Sequence, residues 1–367
     1  MNILLISTGG HIGGEETFTR NLAMALITRN YKVWVATGGN VQMSDLMKWN
    51  IPIANIYIKG RSLTGLYKGA KRIRTFVREN KIDIVHCQAA GPAIMGGIVK
   101  KMHWTFGEKW IYHDHGLKKL TYKWLPVFLN SLDLTITNSD YELIKLKSNR
   151  VKDARIVRVH NGIDPNEYGF KDDMKRKHQT EIRKEFGVQT DTYLLGYIGR
   201  LSPEKGCDLL ISAFTKVLEN KSNVRLLIIG DGILRSSLEK KVKFFEISEK
   251  VIFTGFRSDI PKILSCLNCL ILPSYTETFS LTTIQAMGAG IPVIASDTGG
   301  NPEQIISNFN GYLFETGNYL DLSKKILKMI NSKKDEYMGN NGKLLVEEYL
   351  NENRMVNEIE FYYRKTV

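Results

Sequence analysis

Two cations follow a buried apolar run in the second half of the chain. The run Tyr193–Ile198 predicts a strand, and Arg200 and Lys205 come shortly after it, ahead of Gly206. Ligands of doubly wound sheets bind at the carboxyl ends of the strands. A planar guanidinium and a compact ammonium at that position suit the charge of a diphosphate. A pair of solvated surface cations is the alternative interpretation.

The segment Leu272–Gly290 predicts a strand end, a loop, a helix and a glycine stop, in that order. Glu277 lies in the loop, and Gln285 follows it eight residues later on the helix. Backbone amides at a helix start have no intrahelical acceptor and can bind an anion. Here they belong to Ser280, Leu281 and Thr282. The alternative is that Glu277 only favours a helix N-terminus as an acid.

The first half offers two further groups of residues. The glycine-rich loop Thr8–Glu15 follows the predicted strand Asn2–Ser7, but it lacks the GxGxxG pattern of dinucleotide-binding enzymes. His113 and His115 end another predicted strand, and on an extended segment their side chains point the same way. A structural histidine at a strand end is the alternative for either of them.

These residues require a scaffold of alternating strands and helices. Short Val- and Ile-rich runs alternate with amphipathic stretches up to about residue 160, and the alternation restarts at Tyr193 after the polar stretch Lys171–Lys177. This pattern predicts an α/β protein with two doubly wound, Rossmann-like domains. The cleft between the two domains is the default site for a ligand.

Length and composition exclude several classes of protein. The chain has 367 residues, of which 43% are hydrophobic and 24% charged, which fits a two-domain globular protein. No run reaches the roughly 18 apolar residues of a membrane span. The start of the chain predicts a buried strand and no signal peptide. Four cysteines fit a reducing cytosol, and Cys266 and Cys269 are expected to be core residues with no zinc.

The positive charge is concentrated in the first half. Residues 1–165 carry 24 Lys and Arg against 12 Asp and Glu, whereas residues 166–367 carry 27 against 26. The predicted helix Gly65–Asn80 presents a basic stripe at helical spacing, formed by Lys71, Arg74, Arg78 and Lys81. Several cations on one face predict reversible attachment to an anionic membrane. Nucleic acid is the less favoured partner, because no stacking-aromatic motif accompanies the charge.

Three blocks in the second half resemble one known family. They are Gly199-Arg200 with Lys205-Gly206, the run Gly230-Asp231-Gly232, and Glu277-x7-Gln285 followed by Ala286-Met287-x-Ala289-Gly290. Together they resemble the retaining glycosyltransferases of family 4 (group 1), which have the GT-B fold. The resemblance is clear over about residues 195–315 and looser over residues 1–165. It implies an N-terminal acceptor-binding domain over 1–164, completed by a C-terminal helix at about 355–367, and a donor-binding domain over 165–354.

The resemblance also implies roles for individual residues. Arg200, Lys205 and the three helix amides would bind the phosphates of a nucleotide-diphosphate sugar, while Glu277 and His115 would lie beside the sugar as the catalytic pair. Phe256 and Ile260 match the region that holds the base, and Gly14 matches a glycine that meets the donor. His115 is favoured over His113 as the active-site histidine. No metal and no cofactor are implied, since the cations and the helix terminus supply the positive charge.

One residue departs from the family pattern, which has glutamate where this chain has Gln285. A neutral amide offers a weaker acceptor to the ribose hydroxyls than a carboxylate does. The sequence nevertheless predicts a hexosyltransferase, located in the cytoplasm and peripheral on the inner face of the cell membrane. It would transfer sugar to a glycan or lipid-linked hydroxyl in cell-surface polysaccharide or glycolipid synthesis. The alternatives are a nucleotide-sugar epimerase or hydrolase of the same fold, and a catalytically silent nucleotide-binding partner subunit.

Overall fold

The structure is a computed structural model, and it describes residues 1–7, 13–37, 50–54, 56, 63–116 and 121–367. Residues 8–12 of the glycine-rich loop lie outside the described residues. The chain forms two compact units. The first unit comprises Met1–Asn161 together with Asn353–Val367, and the second comprises Gly162–Glu352.

Six parallel strands form the sheet of the first unit, in the order β2-β1-β3-β4-β5-β6. Strands β1 to β6 are Asn2–Ser7, Lys32–Thr37, Ile84–Cys87, Lys109–Asp114, Leu134–Thr137 and Ile156–Arg158. Helices α1 to α5 are Gly14–Thr28, Leu63–Asn80, Ala90–Lys101, Pro126–Leu129 and Asp140–Ser148. The inner strands are buried almost throughout, as expected for a parallel sheet covered by helices. The strand order reverses between β1 and β3, which is where such sheets bind ligands.

Six parallel strands also form the sheet of the second unit, in the order β12-β11-β10-β7-β8-β9. Strands β7 to β12 are Tyr193–Ile198, Val224–Ile229, Val251–Gly255, Cys269–Leu272, Val293–Ser296 and Gly311–Phe314. Helices α6 to α14 are Pro165–Tyr168, Asp172–Glu185, Cys207–Leu218, Arg235–Phe244, Ile260–Cys266, Leu281–Gly288, Asn301–Gln304, Tyr319–Ser332 and Asp335–Tyr349. This is the strand order of the Rossmann fold, and its switch point lies between β7 and β10.

The last helix, α15 (Glu352–Thr366), returns the chain to the first unit. Tyr363 on this helix is fully buried, and its hydroxyl lies 2.6 Å from Nδ1 of His86 at the end of β3. Arg29, which follows α1, forms an ion pair with Glu360 at 3.0 Å. The two parallel sheets confirm the predicted α/β class with two doubly wound halves.

Glycines allow the loops of the second unit to approach one another closely at the switch point. Gly206 has a φ of 64°, and a Cβ there would lie 2.0 Å from the carbonyl oxygen of Pro273. Gly299 has a φ of 57°, and a Cβ there would lie 1.6 Å from the carbonyl oxygen of Glu277. Only glycine fits both the left-handed backbone and the backbone contact at these positions. The loop after β10 is thereby held between the loops after β7 and β11.

We expect Gly206→Ala to destabilise the protein more than Gly187→Ala does. Both glycines have a positive φ, of 64° and 60°, but a Cβ at Gly187 meets nothing within 4 Å. Gly187→Ala therefore loses only the roughly 1 kcal/mol of stability that a left-handed backbone costs a residue with a Cβ, which is roughly 2–4 °C in melting temperature. Gly206→Ala must also displace the Pro273 carbonyl, and we expect at least twice that shift in thermal unfolding followed by circular dichroism. Equal shifts would contradict the close contact.

Candidate functional site

The loop after β7 turns sharply and presents two cations of different exposure. Arg200 is exposed, and Lys205 is half-buried at the end of a short 3-10 turn. The hydroxyl of Tyr197 donates to the carbonyl oxygen of Arg200 at 2.8 Å, and the amide of Leu201 donates to the carbonyl oxygen of Asp231 at 2.9 Å. The second bond ties this loop to the Gly230–Gly232 run that follows β8.

An ion pair joins the loops that follow the two strands of the switch point. The ammonium of Lys205 donates to Oε2 of Glu277 at 2.7 Å, and the hydroxyl of Ser274 donates to the same oxygen at 3.2 Å. The Glu277 side chain is only 11% exposed, against 30% for Lys205. The structure therefore brings together two residues that are 72 positions apart in the sequence. The sequence predicts that both of them contact the same ligand.

The start of helix α11 differs from expectation at one amide. The backbone N–H of Ser280 donates to Oε1 of Gln304 at 3.0 Å, and the Gln304 amide donates back to the Ser280 carbonyl at 2.9 Å. The Ser280 amide is therefore engaged, and the prediction that it binds an anion is corrected. The Ser280 hydroxyl caps the helix by accepting from the amide of Thr283. Within the described residues, the amides of Leu281 and Thr282 have no acceptor.

Gln285 is oriented by a tyrosine that the motifs do not contain. Its side-chain nitrogen donates to the hydroxyl oxygen of Tyr168 at 2.8 Å, and Tyr168 is buried at the end of α6. The side-chain oxygen of Gln285 has no hydrogen-bond partner among the described residues. The bond to Tyr168 uses one of the two amide hydrogens and leaves the side-chain oxygen as an acceptor that a hydroxyl group can donate to.

The residues assigned to the base follow β9. Phe256 is 58% exposed and comes directly after β9, and Ile260 is half-buried at the start of α10. Arg257, between them, is fixed by ion pairs with Asp259 at 2.7 Å and with Glu185. These hydrogen bonds raise the pKa of the Arg257 guanidinium. An exposed aromatic ring beside a fixed loop provides an apolar face on which a planar base can stack.

Three histidines stack at the carboxyl ends of β3 and β4 in the first unit. The ring centroids of His113 and His115 are 4.6 Å apart, and those of His86 and His113 are 5.4 Å apart. The parallel rings agree with the expectation that His113 and His115 point the same way. His86 and His113 are fully buried, whereas His115 is partly exposed.

The surroundings keep these imidazoles neutral. Burial lowers the pKa of His86 and of His115 to about 3, and it lowers that of His113 well below its usual value. Asp114, between the two histidines of β4, accepts hydrogen bonds from the Tyr112 hydroxyl at 3.0 Å and from the Gly116 amide at 2.9 Å. Burial nevertheless raises the pKa of Asp114 to about 7. Charge is therefore disfavoured throughout this cluster.

Gly14 begins helix α1 and is exposed. Within the described residues, a Cβ at Gly14 would meet nothing within 4 Å, so local packing does not require glycine there. Two acidic residues, Glu15 and Glu16, occupy the first turn. Ser7 at the end of β1 donates to a carboxylate oxygen of Glu15 at 2.8 Å, which fixes the first turn against the sheet.

The basic stripe on helix α2 is only partly as expected. Lys71, Arg78 and Lys81 are exposed, but Arg74 is half-buried. Its Nε donates to the carbonyl oxygen of Trp104 at 3.0 Å, and its guanidinium lies 4.5 Å from the centre of the Phe106 ring. Arg74 is thus a packing residue as well as a cation.

A shallow depression of about 280 Å³ lies along the same helix. Its lining residues are Lys68, Lys71, Arg72 and Thr75. Two exposed aromatic residues of the same unit are Phe106 at 47% and Trp124 at 45%. A search of the described helices finds none with the length and apolar character needed to cross a membrane.

Several residues of these sites gave no signal in the sequence. Gln88, Tyr168 and Gln304 each fix a predicted site residue from a distant part of the chain. None of them belongs to a spaced motif. Only the folded structure brings them to their partners.

Comparisons with known proteins identify the family of the chain. Residues 178–345 match the family model "Glycosyl transferases group 1", and residues 12–167 match "Glycosyltransferase Family 4". N-acetyl-alpha-D-glucosaminyl L-malate synthase of Bacillus anthracis is 26% identical over 96% of this chain and 94% of its own length. The UDP-Gal:alpha-D-GlcNAc-diphosphoundecaprenol alpha-1,3-galactosyltransferase of Escherichia coli is 25% identical over 83% of this chain and 79% of its own length.

Solved structures match over the whole chain. The structure of HepE of Anabaena in complex with UDP-glucose superimposes with a TM-score of 0.88 at 20% sequence identity. The match covers 100% of this chain and 100% of HepE. The two family models account for most of both units, and they confirm the family and the enzyme class that the motifs predict. The chain therefore belongs to the group 1 glycosyltransferases of family 4, retaining enzymes of the GT-B fold.

Proposed function

We propose that this glycosyltransferase takes a sugar from a nucleotide-diphosphate donor bound by the second unit. It transfers the sugar to a hydroxyl of a glycan or lipid-linked acceptor bound by the first unit, in cell-surface polysaccharide or glycolipid synthesis. The observation that carries this proposal is the Lys205–Glu277 pair at the switch point of the second sheet. The names of the Escherichia coli relative, which uses UDP-Gal, and of the HepE complex with UDP-glucose support such a donor.

The negative charge of the donor phosphates is best stabilised by positive groups that are already in position before the reaction begins. Lys205, Arg200 and the amides of Leu281 and Thr282 supply such groups after β7 and β10. They would stabilise the charge that develops on the leaving diphosphate. With these groups in place, we propose that transfer needs no added metal ion and no cofactor.

The carboxylate of Glu277 has a second role in this proposal. In the free enzyme it compensates the charge of Lys205 at 2.7 Å. When a diphosphate approaches Lys205, the carboxylate becomes available to accept a hydrogen bond from a hydroxyl of the donor sugar. Gln285 would accept from the ribose through its side-chain oxygen, while Phe256 and Ile260 would contact the base.

The first unit supplies an uncharged group to the reacting sugar. We propose that His115, neutral because burial lowers its pKa to about 3, forms a hydrogen bond with the transferred sugar. A neutral imidazole donates from one nitrogen and accepts at the other, so it can position a hydroxyl without adding charge. The exposed Gly14 would allow the donor to approach the start of α1 closely.

The acceptor unit would also attach to a membrane. The exposed cations of α2 lie on one helix, and exposed aromatic residues occur on the same unit. Each cation near anionic lipid contributes about 1 kcal/mol, so four of them give reversible binding. We propose peripheral attachment through this face, which would bring the enzyme to lipid-linked acceptors.

A panel of UDP-, GDP- and ADP-sugars tests the function directly. Release of the nucleoside diphosphate that depends on an added glycan or lipid-linked acceptor supports transfer. Acceptor-independent release would favour a hydrolase, interconversion of the sugar without release would favour an epimerase, and binding without either would favour a silent subunit. The same assay in excess EDTA tests the proposal that no metal is needed.

Lys205→Ala should weaken binding of the nucleoside diphosphate by roughly ten- to hundredfold, the effect of losing one charged hydrogen bond of about 1.5–3 kcal/mol. Calorimetry measures this change. The surface pair Lys216–Glu219 has the same 2.7 Å separation, so Lys216→Ala is the matched control and should bind normally. The effect of Lys205→Ala should persist when Glu277 is changed to Gln. If Lys205→Ala binds like Lys216→Ala, the phosphate role of Lys205 is wrong.

Gln285→Glu should tighten binding of the nucleoside diphosphate by about fivefold, or roughly 1 kcal/mol, because a charged acceptor makes a stronger hydrogen bond than a neutral one. The hydroxyl of Tyr168 can switch from accepting to donating and so accommodate the carboxylate. Calorimetry on both forms, with Tyr168→Phe as a second background, measures the gain. Weaker binding by Gln285→Glu would show that this side chain faces a partner other than ribose.

Binding to vesicles with anionic lipid should fall as salt rises to about 0.5 M, because the Debye length then shrinks well below 10 Å. Changing the exposed residues Lys68, Lys71, Arg78 and Lys81 to Gln should remove most binding. The control changes four exposed lysines of the second unit, Lys171, Lys177, Lys240 and Lys243, and alters the net charge equally. Cosedimentation measures both variants. Equal losses, or equal binding to neutral vesicles, would contradict a basic face on α2.

A further inference from the structure

Gln88 follows β3 directly and is held at the point where the strand order of the first unit reverses. Its amide donates to the carbonyl oxygen of Ile6 in β1 at 2.8 Å. On the other side, β3 pairs with β4 in parallel, with Cys87 opposite Tyr112. Gln88 therefore has a backbone fixed by two neighbouring strands, and its side chain is 1% exposed.

The side chain of Gln88 meets the ring of His115. Its oxygen Oε1 lies 2.8 Å from Nε2 of the imidazole. A carboxamide oxygen can only accept, so Nε2 must carry the hydrogen. In a neutral imidazole the other nitrogen, Nδ1, then has the lone pair. The contact selects one of the two tautomers of His115.

Packing alone could not make this selection. His113 stacks on the His115 ring with an interplanar angle of 17°, and Phe18 of α1 lies 4.7 Å away between centroids. These contacts fix the plane of the ring. A 180° rotation of the ring about the Cβ–Cγ bond exchanges nitrogen with carbon and returns the ring to the same plane, so the stacking is unchanged. A hydrogen bond is what distinguishes the two orientations.

The cost of Gln88 to the fold also points to a role. Its side-chain nitrogen Nε2 is buried and has no hydrogen-bond partner among the described residues. A buried donor without an acceptor is destabilising, and an apolar side chain of the same length would avoid that penalty. Violations of this kind are typical of residues retained for function.

We propose that Gln88 is a positioning residue for His115, which it holds in one ring orientation with hydrogen on Nε2 and without charge. This proposal rests on the proposed role of His115 at the transferred sugar. A glutamine provides the acceptor oxygen and no charge, whereas a glutamate at the same place would stabilise the imidazolium. The remainder of the stack supports the neutral form, because His86 and His113 are buried behind the ring.

The titratable groups around His115 are few among the described residues. His113 and Asp114 lie on its own strand, and His86 lies on β3. Glu15 and Glu16 lie in the first turn of α1, and Glu15 accepts from Ser7 at 2.8 Å. On α15, Tyr363 contacts His86 and not His115. A carboxylate at position 88 would place a negative charge where the neutral Gln88 oxygen now lies 2.8 Å from Nε2 of the ring.

The first experiment uses Gln88→Met, which keeps the length of the side chain and removes the hydrogen bond. We expect kcat to fall at least tenfold while the dissociation constant of the nucleoside diphosphate stays unchanged, since the proposed donor groups lie on the second unit. Gln179→Met is the matched control, because Gln179 forms a hydrogen bond with the Ser265 carbonyl at 2.8 Å on the second unit. It should retain its kcat.

The second experiment observes the tautomer without using activity. Nitrogen-15 NMR of the histidine rings should show the Nε2–H form of His115 in the wild type and a loss of that preference in Gln88→Met. In Gln88→Glu the carboxylate raises the pKa of His115 from about 3 towards the assay range, so the inactive imidazolium forms at low pH. We expect kcat/KM of this variant to rise with pH, along an acid limb that the wild type lacks at the same pH.

The outcomes separate the two proposals. If His115→Ala retains full transfer, the role of His115 in the proposed function is wrong. If His115→Ala is inactive but Gln88→Met keeps both the wild-type kcat and the Nε2–H tautomer, only the role of Gln88 is wrong. Circular dichroism of Gln88→Glu, which is nearly isosteric with the wild type, shows whether the position tolerates substitution. A folded Gln88→Glu variant with the pH profile of the wild type would also overturn the proposal.

Discussion

The ion pair between Lys205 and Glu277 is the contact around which the site of the second unit is arranged. Its two residues follow β7 and β10, which are neighbours in the sheet but 72 residues apart in the sequence. The close backbone contacts at Gly206 and Gly299 keep the loops at this separation. Because the carboxylate is more buried than the ammonium, the pair presents its positive member to solvent. An incoming anion therefore meets the lysine first.

The two units differ in the charge of the side chains at their switch points. The second unit gathers a cation, a carboxylate and two free amides at its switch point, and it offers them to a charged ligand. The first unit gathers two buried histidines, the partly exposed His115 and an aspartate whose pKa burial raises to about 7, so charge is disfavoured there. Its excess of cations lies elsewhere, and helix α2 contributes five Lys and Arg against one acid. The charged groups of the second unit suit the negative charge that would develop on the leaving diphosphate in the proposed reaction.

The sequence alone predicts the two doubly wound units and the motif residues of the proposed donor site. Those predictions depend on local periodicity and on short spacings, such as Arg200 with Lys205 or Glu277 with Gln285. The partners that orient the motif residues lie far away in the chain: Tyr168 is 117 residues from Gln285, and Gln88 is 27 residues from His115. The sequence also predicts a free Ser280 amide, because no local pattern indicates that the distant Gln304 accepts its hydrogen bond.

Gln285 shows how such a partner changes the interpretation of a motif. Taken alone, a glutamine in place of a glutamate indicates a weakened acceptor. In the structure the Tyr168 hydroxyl accepts from the amide nitrogen, so the neutral side chain is held by this bond and would lose less rotational freedom on meeting a ligand. The site then contains one carboxylate, Glu277, whose charge Lys205 already balances. A second carboxylate would strengthen the proposed ribose contact but would add negative charge near the proposed diphosphate position, with the exposed Arg200 left to offset it. A glutamine fixed by a tyrosine retains the directed acceptor without that added charge.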